Sequence, residues 1–362
     1  MPSRLKHALA DKANVVADKF DIAPGSGEVI RLPVARLYTH NDLSIEVQAV
    51  RGKRNGPTLF VSAAIHGDEI NGVEIVRRLL QHPAMKNLRG TLLAIPIVNV
   101  HGFLNNSRYL PDGRDLNRSF PGSAKGSLAG RVAHTFMNDI VAHCTHGIDL
   151  HTGARHRGNL PQIRADMNNP ATADMAKVFG VPAVLHSRVR DGSLREVAAD
   201  INIPVITYEA GEALRFDEVA IRAGVKGVIN VMRHINMLPP SRSKRSKPTP
   251  IISEESYWVR ASESGILRAL VPNGARVSKG DIVAMVSDPF GSKSQEITAP
   301  SDGIIIGRTY LPLVHEGEAL FHIAKYSTEI DRVLSRVEAF HELHEPDTEK
   351  YPPSEVDEPP IY

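Results

Sequence analysis

The stretch TLFVSAAIHGDEINGVEIVRRLLQ, residues 58–81, joins an apolar run to an amphipathic segment through an acidic, histidine-bearing loop. The first seven residues are apolar or small, as in a strand that is covered on both faces, and residues 69–81 have the apolar spacing of a helix. The loop sets His66 and Glu69 three residues apart at the end of the strand. Either these residues bind a metal, or they form a polar loop before a helix start.

The alternation of strand-like and helix-like segments continues from residue 36 to about residue 235. Further strands are predicted at 43–52, 90–99, 146–151, 182–187 and 204–211, and helices at 130–144, 170–180, 193–202 and 217–235. Residues 5–20 have the pattern of a short amphipathic helix. Because the strands are apolar throughout and alternate with helices, the predicted fold class is α/β, with a mostly parallel sheet and helices on both faces.

Length and composition limit the classes of protein that fit. The 362 residues suffice for two domains, and the net charge of +2 gives no electrostatic case for binding nucleic acid or a membrane surface. A single cysteine, Cys144, excludes an internal disulfide and a thiolate-rich zinc site. The N-terminal residues lack the apolar core of a signal peptide, and no segment approaches the roughly 20 apolar residues of a membrane span. The expected location is the cytoplasm.

His66 and Glu69 alone are weak evidence for a metal site, so a third ligand is needed. Catalytic zinc sites use three protein ligands from nitrogen and oxygen donors and keep a position open. The stretch IDLHTG, residues 148–153, places His151 at the carboxyl end of another predicted strand, where sites form in open α/β sheets. The alternative is a loop histidine that is hydrogen-bonded to backbone, and spacing alone leaves the two interpretations equal.

A polar segment between the strands, NNSRYLPDGRDLNRSFPG at residues 105–122, carries Arg108, Arg114, Asn117 and Arg118. Arginine offers a planar fork that suits a carboxylate, and asparagine adds a donor. Long loops without periodicity in compact domains are usually functional. Beside a zinc site, this loop indicates an anionic end on the substrate; without one, it is a solvated basic loop.

The stretch TYEAGE, residues 207–212, places Glu209 at the end of another predicted strand. A carboxylate at that position can take a proton from the attacking water and later give it to a leaving amine. Glu212 lies close by and competes for the same role. Glu209 is preferred because it still lies inside the strand, which fixes its direction.

Four stretches together resemble the succinylglutamate desuccinylase/aspartoacylase family, distant relatives of zinc carboxypeptidases. The stretches are HGDE, DLNRSFPG, DLHTG and YEAGE, in the family's order, and they span about residues 55–235. The resemblance implies that His66, Glu69 and His151 bind one Zn²⁺ per chain. It also implies that Asn117 and Arg118 hold a substrate carboxylate.

The same resemblance implies roles for residues beyond the metal ligands. Arg108 corresponds to an arginine that steadies the oxyanion, and Glu209 corresponds to the catalytic glutamate. Asp149 either orients a histidine ligand or caps a turn. The family's substrate-selecting arginine has two candidates here, Arg190 and Arg195. A tyrosine that some members contribute from the C-terminal domain has no clear counterpart.

After residue 250 the sequence pattern changes to short strand-like runs separated by glycine turns, which predicts a small all-β unit. The stretches PNGARVSKGD, 272–281, and ITAPSDGII, 297–305, resemble biotinyl/lipoyl barrel-sandwich modules. In those modules a modified lysine lies on a hairpin, and here Ser292 takes its place while Lys293 lies one residue further. Flanking methionines are absent. The unit is therefore predicted to be a structural relative, with attachment at Lys293 as the alternative.

The predicted fold is zinc-carboxypeptidase-like, with the barrel-sandwich unit appended. Residues 328–343 place apolar side chains, from Ile330 to Phe340, on one helical face, which must dock on the β unit or on a second subunit of a homo-oligomer. The last stretch is acidic, rich in proline and predicted to be disordered. The predicted division is an N-terminal extension at 1–35, a catalytic domain at 36–240, a linker at 241–250, the β unit at 251–325, a helix at 326–344 and a tail at 345–362.

Three functions are consistent with these features. The first is a zinc-dependent amidohydrolase that cleaves the amide bond of an N-acylated amino acid or similar small molecule. The second is a carboxypeptidase-like hydrolase of a short peptide, in which the same residues would hold the C-terminal carboxylate. The third, from another class, is a carrier module whose β unit bears a prosthetic group. The complete set of metal ligands and base argues against the third, and the resemblance to the desuccinylase/aspartoacylase family makes the first the leading hypothesis over the second.

Overall fold

A computed structural model describes residues 20–187, 191–241, 250–326 and 330–345. Most of the predicted helix at 5–20, most of the linker and the tail beyond 345 lie outside the described residues. The helices are α1 (Asn71–Gln81), α2 (Val100–Leu104), α3 (Leu128–Asp139), α4 (Pro170–Phe179), α5 (Leu194–Asp200), α6 (Glu218–His234) and α7 (Ile330–His344).

The strands fall into an N-terminal and a C-terminal group. The first group is β1 (Gly27–Arg36), β2 (Asp42–Arg51), β3 (Arg54–Ala63), β4 (Arg89–Ile95), β5 (His146–His151), β6 (Arg157–Ala165), β7 (Ala183–His186) and β8 (Val205–Gly211). The second group is β9 (Ile251–Ser253), β10 (Glu255–Arg260), β11 (Gly265–Ala269), β12 (Arg276–Val277), β13 (Ile282–Ser287), β14 (Ser294–Thr298), β15 (Gly303–Thr309), β16 (Leu313–Val314) and β17 (Ala319–Lys325).

The centre of the large sheet is formed by β4, β3, β5 and β8, which run parallel to one another. Antiparallel strands extend this centre on both sides, with β2 and β1 beyond β4 and with β6 beyond β8. The predicted α/β class, with a large mostly parallel sheet and helices, is confirmed. Since parallel strands share their direction, β3, β5 and β8 bring their carboxyl ends to one edge of the sheet.

Two hydrophobic cores cover the two faces of this sheet. On one face, Val61, Ile148 and Ile206 pack against α1, α4 and α6. On the other face, Phe60 and Leu93 pack against α3 and α5. Because side chains alternate along a strand, the residues adjacent to Val61, Ile148 and Ile206 point to the second face, which α3 and α5 cover. Near the carboxyl ends of the strands, these second-face positions are polar rather than apolar.

The C-terminal unit adds an antiparallel four-stranded sheet in the order β14-β13-β11-β16. Its core also includes buried residues of β15 and β17, which belong to the large sheet, because β15 pairs directly with β6. Ser292 and Lys293 lie in the turn between β13 and β14. The barrel-sandwich resemblance, the zinc-carboxypeptidase relation and the domain boundaries stay predictions.

Three features differ from the expectations or refine them. Strand β1 lies largely in the segment assigned to the N-terminal extension, yet it pairs along its length with β2. Strand β6 was not among the predicted strands. In α7, Val337 and Phe340 are buried against this chain's own cores, so that part of the apolar stripe docks within the subunit. None of the helices in the described ranges combines the length and apolar content that a membrane crossing requires.

Candidate active site

The polar residues of the second sheet face come from the ends of three neighbouring strands. Asp149 and His151 of β5 lie in register with Thr207 and Glu209 of β8, and Ser62 of β3 lies in register with Asp149. His66 and Glu69 follow β3 in the loop that leads into α1. The sheet therefore brings the predicted ligands and the predicted base to one edge.

His66, Glu69 and His151 form a compact buried cluster. Their ligand atoms all lie within 4.8 Å of one another, and the three residues are 2–6% exposed. The Nδ1 atom of His66 lies 2.7 Å from Oε1 of Glu69, and Nδ1 of His151 lies 2.7 Å from Oε2. Two imidazole nitrogens and a carboxylate in this arrangement match the donor set of a catalytic zinc site.

Each imidazole is also held from its far side by a carboxylate. Asp149 Oδ2 lies 2.6 Å from Nε2 of His151, and its other oxygen accepts a hydrogen bond from Ser62 at 2.8 Å. Asp115 Oδ1 lies 3.1 Å from Nε2 of His66. A carboxylate at Nε2 favours a proton there, which leaves the Nδ1 lone pair facing the cluster, as in carboxylate–histidine–zinc arrangements. Asp149 therefore orients a histidine instead of capping a turn.

The electrostatics of the cluster favour a positive charge at its centre. Burial opposes protonation of His151, but the carboxylates of Asp149 and Glu69 outweigh it and raise the pKa of the imidazole well above its ordinary value. Burial likewise opposes ionisation of Glu69, yet the two histidines lower the pKa of its carboxyl group. Since proton and metal compete for the same nitrogen atoms, a site that attracts protons this way also suits a divalent cation.

The loop that carries the predicted carboxylate-binding residues borders this cluster. Asp115 holds the guanidinium of Arg108 at 3.0 Å, and Nη1 of Arg108 lies 3.2 Å from Oε1 of Glu69. Asn117 accepts a hydrogen bond from the backbone of Leu194 through its Oδ1 at 3.0 Å, so its amide nitrogen is the group left for a ligand. Arg118 is exposed and donates to the backbone carbonyl of Asn117.

The other charged residues considered from the sequence occupy different places. Arg114 is exposed and pairs with Asp112 at 3.8 Å. Arg195 donates to Ser187 at 3.2 Å, and Arg190 lies outside the described residues. Glu212 accepts from the backbone of His156 at 3.1 Å and pairs with Arg215.

Within the described ranges, Glu209 has two side-chain partners, and neither was predicted from the sequence. Asn159 Nδ2 donates to Oε2 of Glu209 at 2.9 Å, and Arg164 Nε lies 2.8 Å from Oε1. Both partners belong to β6. Asp115 was also missed, although its position two residues before Asn117 was a usable signal. The arginine that contacts the predicted base is thus Arg164.

Gly67 lies in the loop that carries His66 and Glu69, where this loop packs tightly against α2, and this gives a test of the loop's packing. A Cβ at Gly67 would lie 1.9 Å from the carbonyl carbon of Gly102 and 2.1 Å from the nitrogen of Phe103. We expect Gly67→Ala to lower the free energy of unfolding by at least about 1–3 kcal/mol, because backbone must move to admit the methyl group. Urea denaturation measures the loss.

Gly130 in α3 is the matched control for Gly67. A Cβ there would lie 3.4 Å from its nearest neighbour, Ser127 Oγ, which is ordinary contact. Gly130→Ala should leave stability unchanged or raise it slightly, because alanine has the higher helix propensity. Equal midpoints for the two variants would contradict the close approach at Gly67.

Comparisons with known proteins identify a matching family model and similar proteins of known activity. The family model described as the succinylglutamate desuccinylase/aspartoacylase catalytic domain matches residues 55–235. The N-alpha-acetyl-L-2,4-diaminobutyric acid deacetylase of Halomonas elongata is 25% identical over 282 residues, which are 75% of this chain and 82% of that protein. The succinylglutamate desuccinylase of Photorhabdus laumondii is 26% identical over 193 residues, 48% of this chain and 58% of that protein.

Solved structures share the fold over most of the chain. The product-bound ectoine utilization protein EutE (DoeB) of Ruegeria pomeroyi superposes with a TM-score of 0.74 at 22% identity, covering 84% of this chain and 98% of that one. A succinylglutamate desuccinylase/aspartoacylase of Rhodobacter sphaeroides gives a TM-score of 0.75 at 21% identity, covering 84% and 97%. At these identities the likeness shows the fold alone.

Proposed function

Because this chain belongs to the succinylglutamate desuccinylase/aspartoacylase family, we propose that it is a zinc-dependent amidohydrolase. Its proposed substrate is an N-acylated amino acid or a similar small molecule, from which it removes the acyl group. The buried cluster of His66, Glu69 and His151 next to Glu209 is the observation that carries this proposal.

His66, Glu69 and His151 would hold the metal ion. The fit rests on the donor set, on the burial of all three side chains and on the carboxylates that turn both Nδ1 atoms toward the cluster. A zinc ion bound there would polarise the amide carbonyl and lower the pKa of a bound water to about 7. Glu69 also accepts a hydrogen bond from the backbone of Thr152 at 3.1 Å, which helps to fix its carboxylate.

The chain's own residues supply the remaining steps. Glu209 would take a proton from the attacking water and give it to the departing amine nitrogen. Asn117, through its amide nitrogen, and Arg118 would hold the substrate carboxylate and so fix the scissile amide in place. Arg108, which already reaches the edge of the cluster, would stabilise the negative charge that develops on the carbonyl oxygen.

An amine-release assay on the zinc-loaded protein tests the proposal. The panel contains N-alpha-acetyl-L-2,4-diaminobutyrate and N-succinylglutamate, chosen from the relatives' names, together with other N-acyl amino acids and with dipeptides. We expect turnover of at least one N-acyl amino acid and much slower turnover of dipeptides. Preference for dipeptides would favour a carboxypeptidase-like function instead, and no turnover of either class would refute both.

The proposed carboxylate clamp is tested with the best substrate of that panel. Methyl esterification of its carboxylate should lower kcat/KM by about 10- to 150-fold, because hydrogen bonds to charged groups contribute about 1.5–3 kcal/mol. Arg118→Met should produce a loss of similar size with the free acid and little further loss with the ester. An Arg118→Met variant that handles the free acid like the wild type would contradict the clamp.

A further inference from the structure

Both carboxylate oxygens of Glu209 are held by side chains of β6. Asn159 donates a hydrogen bond to one oxygen at 2.9 Å, and Nε of Arg164 lies 2.8 Å from the other in an ion pair whose N–H is not aligned for a hydrogen bond. We infer that Asn159 and Arg164 are positioning residues that fix the direction of the Glu209 carboxylate, and that the C-terminal β unit holds them in place through β15. This inference rests on the proposed function, in which Glu209 is the base.

The register of the strands explains how Arg164 reaches Glu209. Gln162 of β6 lies opposite Glu209, and Arg164 lies opposite Thr207, one row deeper in the sheet. Alternate residues share a face, so the side chain of Arg164 extends along the sheet surface toward the carboxylate. Both side chains of the pair are only 19% exposed, so solvent screens the pair less than it would at the surface.

Such a pair restricts a side chain that is otherwise flexible. A free glutamate samples several rotamers, and a misplacement of about 1 Å in a catalytic group can cost about 100-fold in rate. Within the described residues, Arg164 forms its ion pair with Glu209. Among the residues that the structure describes, no second carboxylate pairs with this arginine and draws it away from the base.

The C-terminal unit contacts this arrangement at Asn159. Strand β15 pairs antiparallel with β6, and Gly307 lies opposite Asn159. A Cβ at Gly307 would lie 2.7 Å from Oδ1 of Asn159, so the amide occupies space that only glycine leaves free. The same amide donates to Glu209 through its nitrogen. Because Ile304, Ile305 and Ile306 of β15 are buried, the position of Gly307 depends on the packing of the C-terminal unit.

Three variants test the inference by steady-state kinetics on the zinc-loaded full chain. Arg164→Met and Gly307→Ala should each lower kcat by about 10- to 100-fold with KM changed less than twofold, because they displace the base and leave substrate binding intact. Arg31→Met is the matched control, since Arg31 pairs with Glu46 on the exposed face of β1 and β2. Arg31→Met should have the kcat and KM of the wild type.

Chemical rescue separates positioning from a general structural effect. Millimolar guanidinium should restore part of the activity of Arg164→Met and none of that of Gly307→Ala, because only the first variant has lost a guanidinium. Wild-type kcat in both variants would overturn the inference. So would a raised KM with unchanged kcat in Arg164→Met, because Arg164 would then bind substrate. Should Arg164→Met fail to fold, Asn159→Ala takes its place, with the same expected loss of kcat and without rescue.

Failure of the proposed function has a different signature. If the wild type hydrolyses neither N-acyl amino acids nor dipeptides, the proposed function falls, and crystal structures then test the positioning alone. In Arg164→Met the Glu209 carboxylate should leave hydrogen-bond distance of Asn159, while in Arg31→Met it should stay. An unmoved carboxylate in Arg164→Met would overturn the inference.

Discussion

Glu209→Gln is expected to lower kcat by about 10²- to 10⁴-fold while zinc content stays at one ion per chain, since proton transfer by a positioned side chain contributes a factor of that size. Glutamine keeps the length and shape of the side chain but cannot take the proton. Its amide oxygen can still accept the hydrogen bond from Asn159. Metal analysis and stopped assays on the same sample measure both quantities.

Glu212→Gln is the control for this prediction. Glu212 is the other carboxylate in the same stretch, but it is occupied by the backbone of His156 and by Arg215. We expect Glu212→Gln to retain kcat within a few-fold, since it leaves Glu209 and its partners in place. If Glu212→Gln abolishes turnover while Glu209→Gln keeps it, the assignment of the base must be reversed.

The fold could be predicted from the sequence where one signal dominated. Apolar runs of strand length alternate with amphipathic segments, and these give β3, α1, β5, β8 and α6 close to their observed positions. Strand β6 has a weaker pattern, because it contains Gly158 and Pro161, both of which argue against a strand interior. In the structure, the β6–β8 register shifts between Asn159 and Gln162, around the proline that lacks an N–H group.

The candidate site likewise contains residues that the sequence predicts and residues that it does not. His66, Glu69, His151 and Glu209 each follow or end a recognisable strand, so they can converge if those strands are neighbours, and the structure places them at one edge. Asn159 and Arg164 reach Glu209 from a strand that the pattern did not reveal, and only the antiparallel pairing of β6 with β8 brings them there. The roles of all these residues stay proposals that the variants test.

Removal of the metal is the other prediction with a large expected effect. Chelation should abolish turnover, and added zinc should restore it, because the proposed chemistry needs a Lewis acid that no side chain of the cluster supplies. His151→Ala should lose both zinc and activity without recovery. His146→Ala is the control on the same strand, since His146 lies at the opposite end of β5, about 16 Å away at 3.3 Å per residue, and should change neither.

A milder substitution, at Asp149, tests whether the carboxylate that holds His151 affects the affinity for zinc. Asp149→Asn keeps the shape of the group that holds His151 but removes its charge, and it should weaken zinc affinity by about 10- to 100-fold. At saturating zinc most of its activity should return, which His151→Ala cannot achieve.

His151→Ala also leaves Asp149 buried without its histidine. Breaking a buried pair costs about 3–5 kcal/mol, so folding must be measured beside zinc content. Unaltered turnover in thoroughly zinc-depleted wild type would refute the proposed zinc dependence, because hydrolysis would then proceed without a metal ion and the cluster would be an ion-paired part of the core.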